Sequence, residues 1–572
     1  MEKKIVWLVL SCLMVAALVL ASCAPAVTEE EEVVEEEEVP AVKEPQYGGT
    51  LTILTSHCTT DPLSFDPADF AWKTNHNASP YMEQLLAGDL SRGAGGTGEF
   101  RFVDNEYIRY KYAIGCLAES FEFPEPLTLV FNIRKGVMWH DRPGVMAARE
   151  FTADDVLFTF ERLMASPKAF AGHYDWVESI SAPDKYTFVV KMNSFWANWQ
   201  STIGWGYYHN IFPPEMVEAG ATDWRNACGT GPFIQTDYVS GSSQTFERNP
   251  NYWGKTTING KEYQLPFVDK LIWPIIREIP TQIAAMRTAK ADVMDLCEWK
   301  YVKGLEETNP ELQRVEYLST GTANVAVRVD TSPFDDLRVR RALNMAIDKQ
   351  GIVDSYYGGN ALMLSFPFSI LWGEDLYTPL EKLPESAREL FEYNPEKAKA
   401  LLAEAGYPNG FKTNMVTSNL APVIDLMSMV VGYWEEVGVD CEMKPIEYAA
   451  YYSTMMGKKF DQMIYFGKGN ANPFRIFRTI ALPGQSWNPS CFDDDYLTDK
   501  WNEAVTNPNI AEQNEILREL NIYLIEQTPY IYLPCQYYYG YAQPWVKNWY
   551  GEVNINARGP GLIHATYWID QD

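Results

Sequence analysis

The residue types that most often carry catalysis are present in this chain, but they are not spaced for it. A literal GxGxxG occurs at Gly93, Gly95 and Gly98. It follows an apolar pattern of helical spacing at residues 81–86 and precedes no helix, whereas a dinucleotide site needs a strand, the glycine turn and then a helix. The sequence therefore predicts a flexible loop at these glycines and not a nucleotide site.

Other reactive side chains also lack the spacing of a catalytic or metal site. The motifs GxSxG, HExxH and Walker A do not occur, and none of the six histidines is followed by another at the fourth position. We therefore predict no metal, no cofactor and no enzyme activity. Adjacent carboxylates at 154–155 and 493–495 are typical of helix caps and solvated turns. Glycosidase carboxylates can be far apart in sequence, so a surface-anchored glycoside hydrolase stays open as an alternative.

One cysteine near the start of the chain is placed for lipid attachment. Two lysines precede residues 5–21, which are apolar except for one serine. This run is short for a membrane span, which needs about 20 residues, and it fits the apolar region of a secretion signal. The sequence LASC, ending at Cys23, resembles the bacterial lipobox, which implies cleavage before Cys23 and lipidation of its sulfur. The alternative is an uncleaved helical anchor with an incidental cysteine.

An acidic stretch follows this cysteine. Residues 29–38 hold eight glutamates and two valines. Because like charges repel, we expect an extended, solvated segment that forms no core. The sequence predicts a signal peptide at 1–22 and an acidic tether at 23–46. The protein would then be extracytoplasmic and lipid-anchored to the cell membrane, on its outer face or its periplasmic side, through Cys23.

Residues 47–572 have the composition of a large globular body. The whole chain is 46% hydrophobic and has a formal net charge of −29, of which the tether supplies eight charges. A body of this length exceeds a single core, so two or three lobes are expected. The negative charge would repel phosphates, which argues against a nucleic-acid partner. The nine cysteines form no CxxC pair, and we predict at most one or two disulfides.

Strand and helix patterns follow one another along the body and predict an α/β fold. We expect strands at residues 50–55, 127–133 and 186–192. Thr152 and Asp155 form a capping box that predicts the start of a helix. Asp336 and Asn394 are expected to cap two further helices, and an apolar stripe at 516–524 predicts a fourth.

Five segments of the body carry recognisable signatures, in the following order along the chain. They are LVFNIRKGVMWHDRPG…FTADDVLFTFERL (129–163), GTGPFIQTDYVSG…FERNPNYWG (229–254), SPFDDLRVRRALNMAIDKQGIV (332–353), YNPEKAKALLAEAGYPNGF (393–411) and WEEVGVDCEMKPIEYAAYYSTM (434–455). Together they resemble the family 5 extracytoplasmic solute-binding proteins, the receptors of ABC importers for peptides, nickel and oligosaccharides. The segments span nearly the whole body.

The resemblance implies a type II (cluster C) periplasmic-binding-protein-like fold, with three lobes that form two jaws around a hinge. Lobe I would use residues 47–80, 229–315 and 542–572, lobe II residues 81–228, and lobe III residues 316–541. Gly229, Gly231 and Pro232 would lie at a crossing between the jaws. The protein would act as a monomer that closes on a solute by hinge motion and delivers it to ABC transporter permease subunits, without covalent chemistry.

The ligand is where the sequence departs from the family pattern. Peptide binders of the family carry an aspartate shortly after a strand that begins here near residue 460, and Asn470 stands at the corresponding position. Residues 462–492 contain one lysine and two arginines but no Asp or Glu. Burying an ammonium group without a counter-charge costs several kcal/mol. We therefore predict a neutral or anionic, oligosaccharide-like solute. A receptor for free oligopeptides or dipeptides, with the carboxylate supplied by another lobe, is the alternative.

Amide and aromatic side chains are expected to complete the site. Asparagine side chains offer neutral donors and acceptors, and flat rings can stack on sugars. The chain holds 18 Trp, 34 Tyr and 27 Phe residues, and core packing is the alternative role for most of them. The predicted ligand contacts are Asn470, Asn472, Tyr465, Phe466, Trp487, Trp205 and His57.

Overall fold

The computed structural model describes residues 43–57, 59–71, 73–103, 107–170, 172–469 and 472–571. The predicted signal peptide, the lipidation site Cys23, most of the predicted tether and Asn470 lie outside these residues. The globular body, Pro45–Asp572, forms one compact unit.

The strands are short and run through the whole body. In chain order they are β1 Thr50–Leu54, β2 Leu86–Gly88, β3 Ala113–Gly115, β4 Ala118–Glu125, β5 Thr128–Ile133, β6 Val177–Asp184, β7 Thr187–Met192, β8 Phe233–Val239, β9 Ser243–Arg248, β10 Lys255–Ile258, β11 Lys261–Gln264, β12 Lys270–Pro274, β13 Val293–Glu298, β14 Gln313–Leu318, β15 Gly321–Val327, β16 Ala361–Leu362, β17 Phe411–Ser418, β18 Val439–Ile446, β19 Met463–Gly469, β20 Tyr530–Tyr532, β21 Cys535–Ala542, β22 Val546–Lys547 and β23 Trp568–Ile569.

The α-helices lie between these strands. They are α1 Thr74–Ala78, α2 Ala153–Met164, α3 Pro214–Ala219, α4 Ile279–Arg287, α5 Trp299–Thr308, α6 Leu337–Met345, α7 Lys349–Ser355, α8 Glu385–Arg388, α9 Pro395–Glu404, α10 Ala421–Glu436, α11 Tyr448–Met456, α12 Pro473–Ile480, α13 Asp495–Thr506, α14 Ile510–Gln527 and α15 Gly561–His564. A short π-helical turn spans Gln200–Gly204.

Three sheets organise the body. The largest has the order β14-β21-β13-β1-β12-β9-β8, with β16 pairing β21. A five-stranded sheet has the order β18-β17-β19-β15-β20, and a four-stranded antiparallel sheet has the order β4-β5-β7-β6. In the largest sheet β1 runs parallel to β12 and β13, and in the five-stranded sheet β17 runs parallel to β18 and β19. The α/β class predicted from the sequence is confirmed.

Two large hydrophobic cores hold these sheets. One core is formed within residues 325–533. The other combines side chains from residues 51–293 with side chains from residues 542–567. The predicted lobes I and II thus share a core, and the predicted lobe III has its own. The lobe boundaries themselves remain a prediction.

Capping residues in the sequence correctly predicted where several helices begin. The backbone N–H of Thr152 donates to the Asp155 carboxylate at 2.9 Å, which closes the capping box at the start of α2. Asp336 accepts from the backbone of α6, and Asn394 does the same for α9. The apolar stripe at 516–524 lies within α14.

The glycine segment around residue 95 is a packed turn. The helix expected at residues 81–86 is absent from this described segment, where β2 begins at Leu86, so that expectation is wrong. The N–H groups of Gly96 and Gly98 both donate to the carbonyl of Gly93, at 3.0 and 2.9 Å. A Cβ placed on Gly95 would lie 2.4 Å from the Tyr550 ring. The glycines therefore permit close packing, and the turn makes ordered contacts where a flexible loop was expected.

Two backbone segments cross tightly where the predicted hinge glycines lie. The N–H of Gly231 donates to the carbonyl of Tyr81 at 3.0 Å, and the N–H of Phe233 donates to that of Pro80 at 2.9 Å. The carbonyl of Gly229 accepts from the backbone of His140 at 2.9 Å. The crossing thus joins the predicted lobes I and II, which share one core. The chain passes between the two cores through β14 and β21. These two strands pair with each other along residues 313–318 of β14.

Several features bear on cysteine, membrane and metal chemistry. Within the described residues the cysteines are free thiols, namely Cys116, Cys228, Cys297, Cys441, Cys491 and Cys535. In the same part of the chain no helix combines the length and the apolar character needed to cross a membrane. Among the residues that the model describes, no group of three or more His, Cys, Asp or Glu side chains could hold a metal ion.

Candidate functional site

A cavity of about 260 Å³ lies between side chains that belong to the two cores. One wall comes from residues 170–173 and 196–209, which lie before β6 and after β7 of the four-stranded sheet. The opposite wall comes from residues 456–501, which include α12 and the loop after it, and Ala557 adds a further contact. A cavity placed between two cores is the usual position of a ligand site in a protein built from several lobes.

Two arginines of α12 give this cavity a positive wall. Arg475 and Arg478 both line it, because side chains three residues apart share one face of a helix. The guanidinium of Arg475 lies 4.9 Å from the ring centroid of Tyr207, a cation–π distance. Burial and, secondarily, the charge of Arg475 lower the pKa of Arg478, and the nearby carboxylate of Asp175 opposes them. Among the lining residues that the structure describes there is no Asp or Glu.

Two stacked histidines face the arginine wall. The rings of His173 and His209 lie parallel with centroids 5.5 Å apart, and their Nε2 atoms are 3.5 Å apart. The Tyr174 hydroxyl lies 3.0 Å from Nε2 of His209. Burial lowers the pKa of His209 to about 3. Burial, and then the neighbouring positive groups, lower the pKa of His173 well below 6.5. Both imidazoles are therefore neutral at pH 7 and can exchange hydrogen bonds with a ligand.

Asn472 and Trp487 are the two predicted contacts that line this cavity. Asn472 is the N-cap of α12, and its side-chain oxygen accepts from the backbone N–H of Arg475 at 2.9 Å. Its side-chain nitrogen donates to the hydroxyl of Ser201 on the opposite wall at 3.1 Å. Asn472 therefore fixes the arginine helix and bridges the two walls.

Phe466 and Tyr465 do not line this cavity, and their predicted contact with a ligand remains a prediction. Phe466 is fully buried in the core and stacks on Tyr530 with ring centroids 5.2 Å apart. Tyr465 packs beside Tyr451, whose hydroxyl donates to the Tyr465 carbonyl at 2.8 Å. Both residues lie on β19, where core packing uses their rings.

Trp205 and His57 are also absent from the lining of this cavity, and their predicted contact with a ligand likewise remains a prediction. Trp205 is 1% exposed within the second core and lines a different cavity. His57 does not line the cavity, and its Nε2 lies 3.0 Å from a guanidinium nitrogen of Arg558. The Nε–H of Arg558 in turn donates to the Tyr207 hydroxyl. His57 therefore reaches the cavity through Arg558 and Tyr207.

Sequence reasoning missed several lining residues, chiefly His173, His209 and Tyr207. The two histidines are 36 residues apart in the chain, so their contact cannot be predicted from local sequence spacing. Tyr207 belongs to an aromatic-rich segment whose rings are mostly core, and only the packing shows which ring lines the cavity. The sequence did indicate the two arginines, because residues 462–492 carry positive side chains and no negative ones.

Comparisons with known proteins identify the family and the fold of this chain. The family model described as "Bacterial extracellular solute-binding proteins, family 5 Middle" matches residues 113–486, well over half of the chain. The chain belongs to this family. The resemblance found in the five sequence segments is therefore confirmed, as is the type II periplasmic-binding-protein fold.

Relatives of this family 5 protein span almost its full length. Heme-binding protein A of Haemophilus influenzae is 26% identical over 94% of this chain and 95% of its own. The dipeptide-binding protein of Escherichia coli is 25% identical over 82% of this chain and 86% of its own. The periplasmic binding protein DppA of Helicobacter pylori, solved in complex with peptide STSA, aligns with a TM-score of 0.71 at 21% identity, covering 92% of this chain and 99% of that one.

Proposed function

We propose that this family 5 protein is the solute-capturing component of an ABC importer, and that it holds the anionic or neutral polar end of its solute beside Arg475 and Arg478. The observation that carries the proposal is the charge of the cavity. Two arginines and two neutral imidazoles line it, and its described lining has no carboxylate. A buried charge needs a counter-charge and hydrogen bonds, and paired guanidinium groups supply both to an anion.

A sugar-like neutral part of the solute fits the rest of the lining. Trp487 offers a ring for stacking, and the histidine pair offers hydrogen-bond partners for hydroxyl groups. The predicted oligosaccharide-like character rests on this lining. Asn470, which the prediction placed in the site, remains a proposed contact.

A receptor for free peptides is the second candidate, and the relatives favour it. The dipeptide-binding protein of Escherichia coli and the peptide complex of Helicobacter pylori DppA belong to this group. A peptide α-carboxylate would be well served by Arg475 and Arg478. Its ammonium group would have to find an acidic side chain outside the described lining. The charge distribution therefore favours peptides whose amino end is blocked or lies outside the cavity.

A surface-anchored glycoside hydrolase has less support. Hydrolysis of this kind needs two carboxyl groups about 5 to 10 Å apart across the substrate. The described cavity lining provides none, and the two curated relatives are named as binding proteins. We therefore retain the transport function.

A matched pair of peptides tests the ligand preference. We expect an N-acetylated tripeptide to bind at least tenfold more tightly than the same tripeptide with a free amine, because an ammonium group would be desolvated near two guanidinium groups. Calorimetric titration of the purified protein with both members of several pairs measures the difference. If the free-amine peptide binds more tightly than its acetylated partner in every pair, a receptor for free peptides becomes the favoured function.

Membrane attachment through Cys23 is part of the proposal. Replacing the cysteine, Cys23→Ala, should move the protein from the membrane fraction to the soluble fraction, because the lipid carrier is lost. Ser22→Ala, which keeps a small residue before the cysteine, is the matched control and should stay with the membranes. Cell fractionation and the mass of the mature N-terminus give the readout. A Cys23→Ala protein that still pellets with membranes would show that the lipobox reading is wrong.

Closure of two jaws on the solute is proposed from the family resemblance. Contacts across the two cores include the Asn472–Ser201 bond and a backbone bond of 2.7 Å from Ala197 to the carbonyl of Val505. These contacts would have to separate to admit a solute. The partner permease subunits and the monomeric state likewise remain part of the proposal.

A further inference from the structure

A second cavity, of about 430 Å³, adjoins the arginine-lined one. Asn198, Ser201 and Phe474 line both cavities. The second cavity also lies between the two cores, because one side is formed by residues 107–127 and 195–205 and the other by residues 375–376 and 508–514. The two cavities are therefore neighbours along one interface.

Very little separates the two spaces. The π-helical turn Gln200–Gly204 passes between them and places Ser201 at their boundary. The Ser201 hydroxyl receives the hydrogen bond from Asn472 at 3.1 Å and donates to the Asn198 carbonyl at 3.2 Å. Ser201 therefore lies at the boundary together with Asn198 and Phe474, which line both cavities as well. A π-helical turn is rare and is frequently found at functional sites.

The two cavities differ in chemistry. The first carries the positive charge of Arg475 and Arg478. The second is lined mainly by rings and aliphatic side chains, namely Tyr107, Tyr110, Phe123, Phe195, Trp199, Trp205, Leu376 and Ile510. Its charged lining residues are Lys111 and the Arg109–Asp375 ion pair, which joins the two sides. An apolar space next to a cationic one fits a molecule that has both characters.

We propose that the two cavities are the two compartments of one ligand site, and that the solute is an elongated amphiphilic anion. Its anionic group lies beside Arg475 and Arg478, and its apolar part occupies the aromatic cavity. This inference rests on the proposed function, because it assumes that the first cavity holds the anionic end. It adds the class of the solute and the residues that select for its apolar length.

The physical reason is the gain from removing apolar surface from water. Each buried methylene contributes about 0.8 kcal/mol, which is roughly fourfold in affinity. An apolar tail in the second cavity should therefore raise affinity in steps with its length. A short anion would fill the first cavity alone and gain nothing from the second.

A series of N-acylglycines with acetyl, hexanoyl and decanoyl chains is the probe. Calorimetric titration of the full protein should show affinity at least tenfold higher for hexanoylglycine than for acetylglycine. Ile510→Trp, at a half-exposed position that lines the second cavity, should abolish the gain and leave acetylglycine binding unchanged. Ile370→Trp, at an exposed position that lines neither cavity, is the matched control and should keep the gain.

A second blocking variant guards against a folding artefact. Asn514→Trp, also in the lining of the second cavity, should reproduce the effect of Ile510→Trp, and a thermal melt confirms that each variant is folded. The inference is overturned if affinity is independent of chain length, or if both blocking variants keep the gain. In either of these cases, acetylglycine binding that is lost in Arg475→Gln still supports the proposed function. Failure of every N-acylglycine to bind would overturn both.

Discussion

Acidification from pH 7 to pH 5 is expected to lower the free energy of unfolding by several kcal/mol. Burial lowers the pKa of His140 to about 4 and those of His209 and His564 to about 3. It also lowers the pKa values of His57, His76 and His173 well below 6.5. These side chains stay neutral in the folded protein, whereas each binds a proton in the unfolded chain as the pH falls below 6.5. For the three histidines whose pKa values are about 3 to 4, the cost is about 2 kcal/mol each between pH 7 and pH 5.

The sign is set by which state holds more protons. The unfolded chain binds more of them below pH 6.5, so stability is greatest above that pH and falls toward the pKa values of the folded state. Asp295 opposes this trend, because burial raises its pKa to about 7 and the folded protein protonates it in the same range. Glu83, whose pKa burial also raises, acts in the same direction. Asp292, whose pKa burial raises, and Lys349, whose pKa burial lowers to about 7, act in the same direction as well. These four groups offset part of the loss that the six histidines cause.

Urea unfolding at pH 5, 6 and 7 measures this dependence. Asp295→Asn removes one opposing group and should steepen the loss of stability on acidification. The interpretation fails if the free energy of unfolding is flat or rises as the pH falls from 7 to 5.

Gly229→Ala is expected to destabilise the protein by about 3 kcal/mol or more. A Cβ on residue 229 would lie 1.6 Å from the carbonyl oxygen of Tyr81. Backbone cannot move aside as a flexible side chain can, because this crossing also carries the hydrogen bonds of Gly231 and Phe233 to Tyr81 and Pro80. The new methyl group must therefore push two bonded segments apart.

Gly432→Ala is the matched control for this substitution. Gly432 lies within α10, and a Cβ there would meet nothing within 4 Å. Because Ala favours a helix over Gly, this variant should be more stable by about 0.5 to 1 kcal/mol. Thermal melts of both variants against the unchanged protein give the comparison. If Gly229→Ala melts at the wild-type temperature, the backbone at this crossing has room that the structure does not show.

The features that sequence predicted best were those decided by neighbouring residues. The capping box at Thr152 and Asp155 and the N-caps at Asp336 and Asn394 depend on side chains a few residues away. The family signatures likewise predicted the fold class, and the charge excess after residue 462 pointed to the arginine wall. Each of these signals is contained within one short segment.

The residues that line the cavities could not be predicted from short sequence segments in the same way. Phe466 carries a ring type that suits a ligand site, yet it packs in a core, whereas Trp205 packs in a core and also lines the second cavity. His173 and His209 meet only because the fold brings distant segments together. Whether a ring packs or lines a cavity is decided by tertiary contacts, and a single sequence does not encode these in its local spacing.

The central claim is that Arg475 and Arg478 hold the anionic end of the solute. Calorimetric titration of the double variant Arg475→Gln/Arg478→Gln with the N-acetylated tripeptide tests it most directly. Lys412→Gln, at a position whose side chain is 88% exposed, serves as the control for loss of positive charge alone. We predict that the double variant binds at least tenfold more weakly while the control binds as the unchanged protein does, since truncating one side of a buried charge pair costs about 2 to 5 kcal/mol. Equal affinity of the double variant and the unchanged protein would contradict the claim.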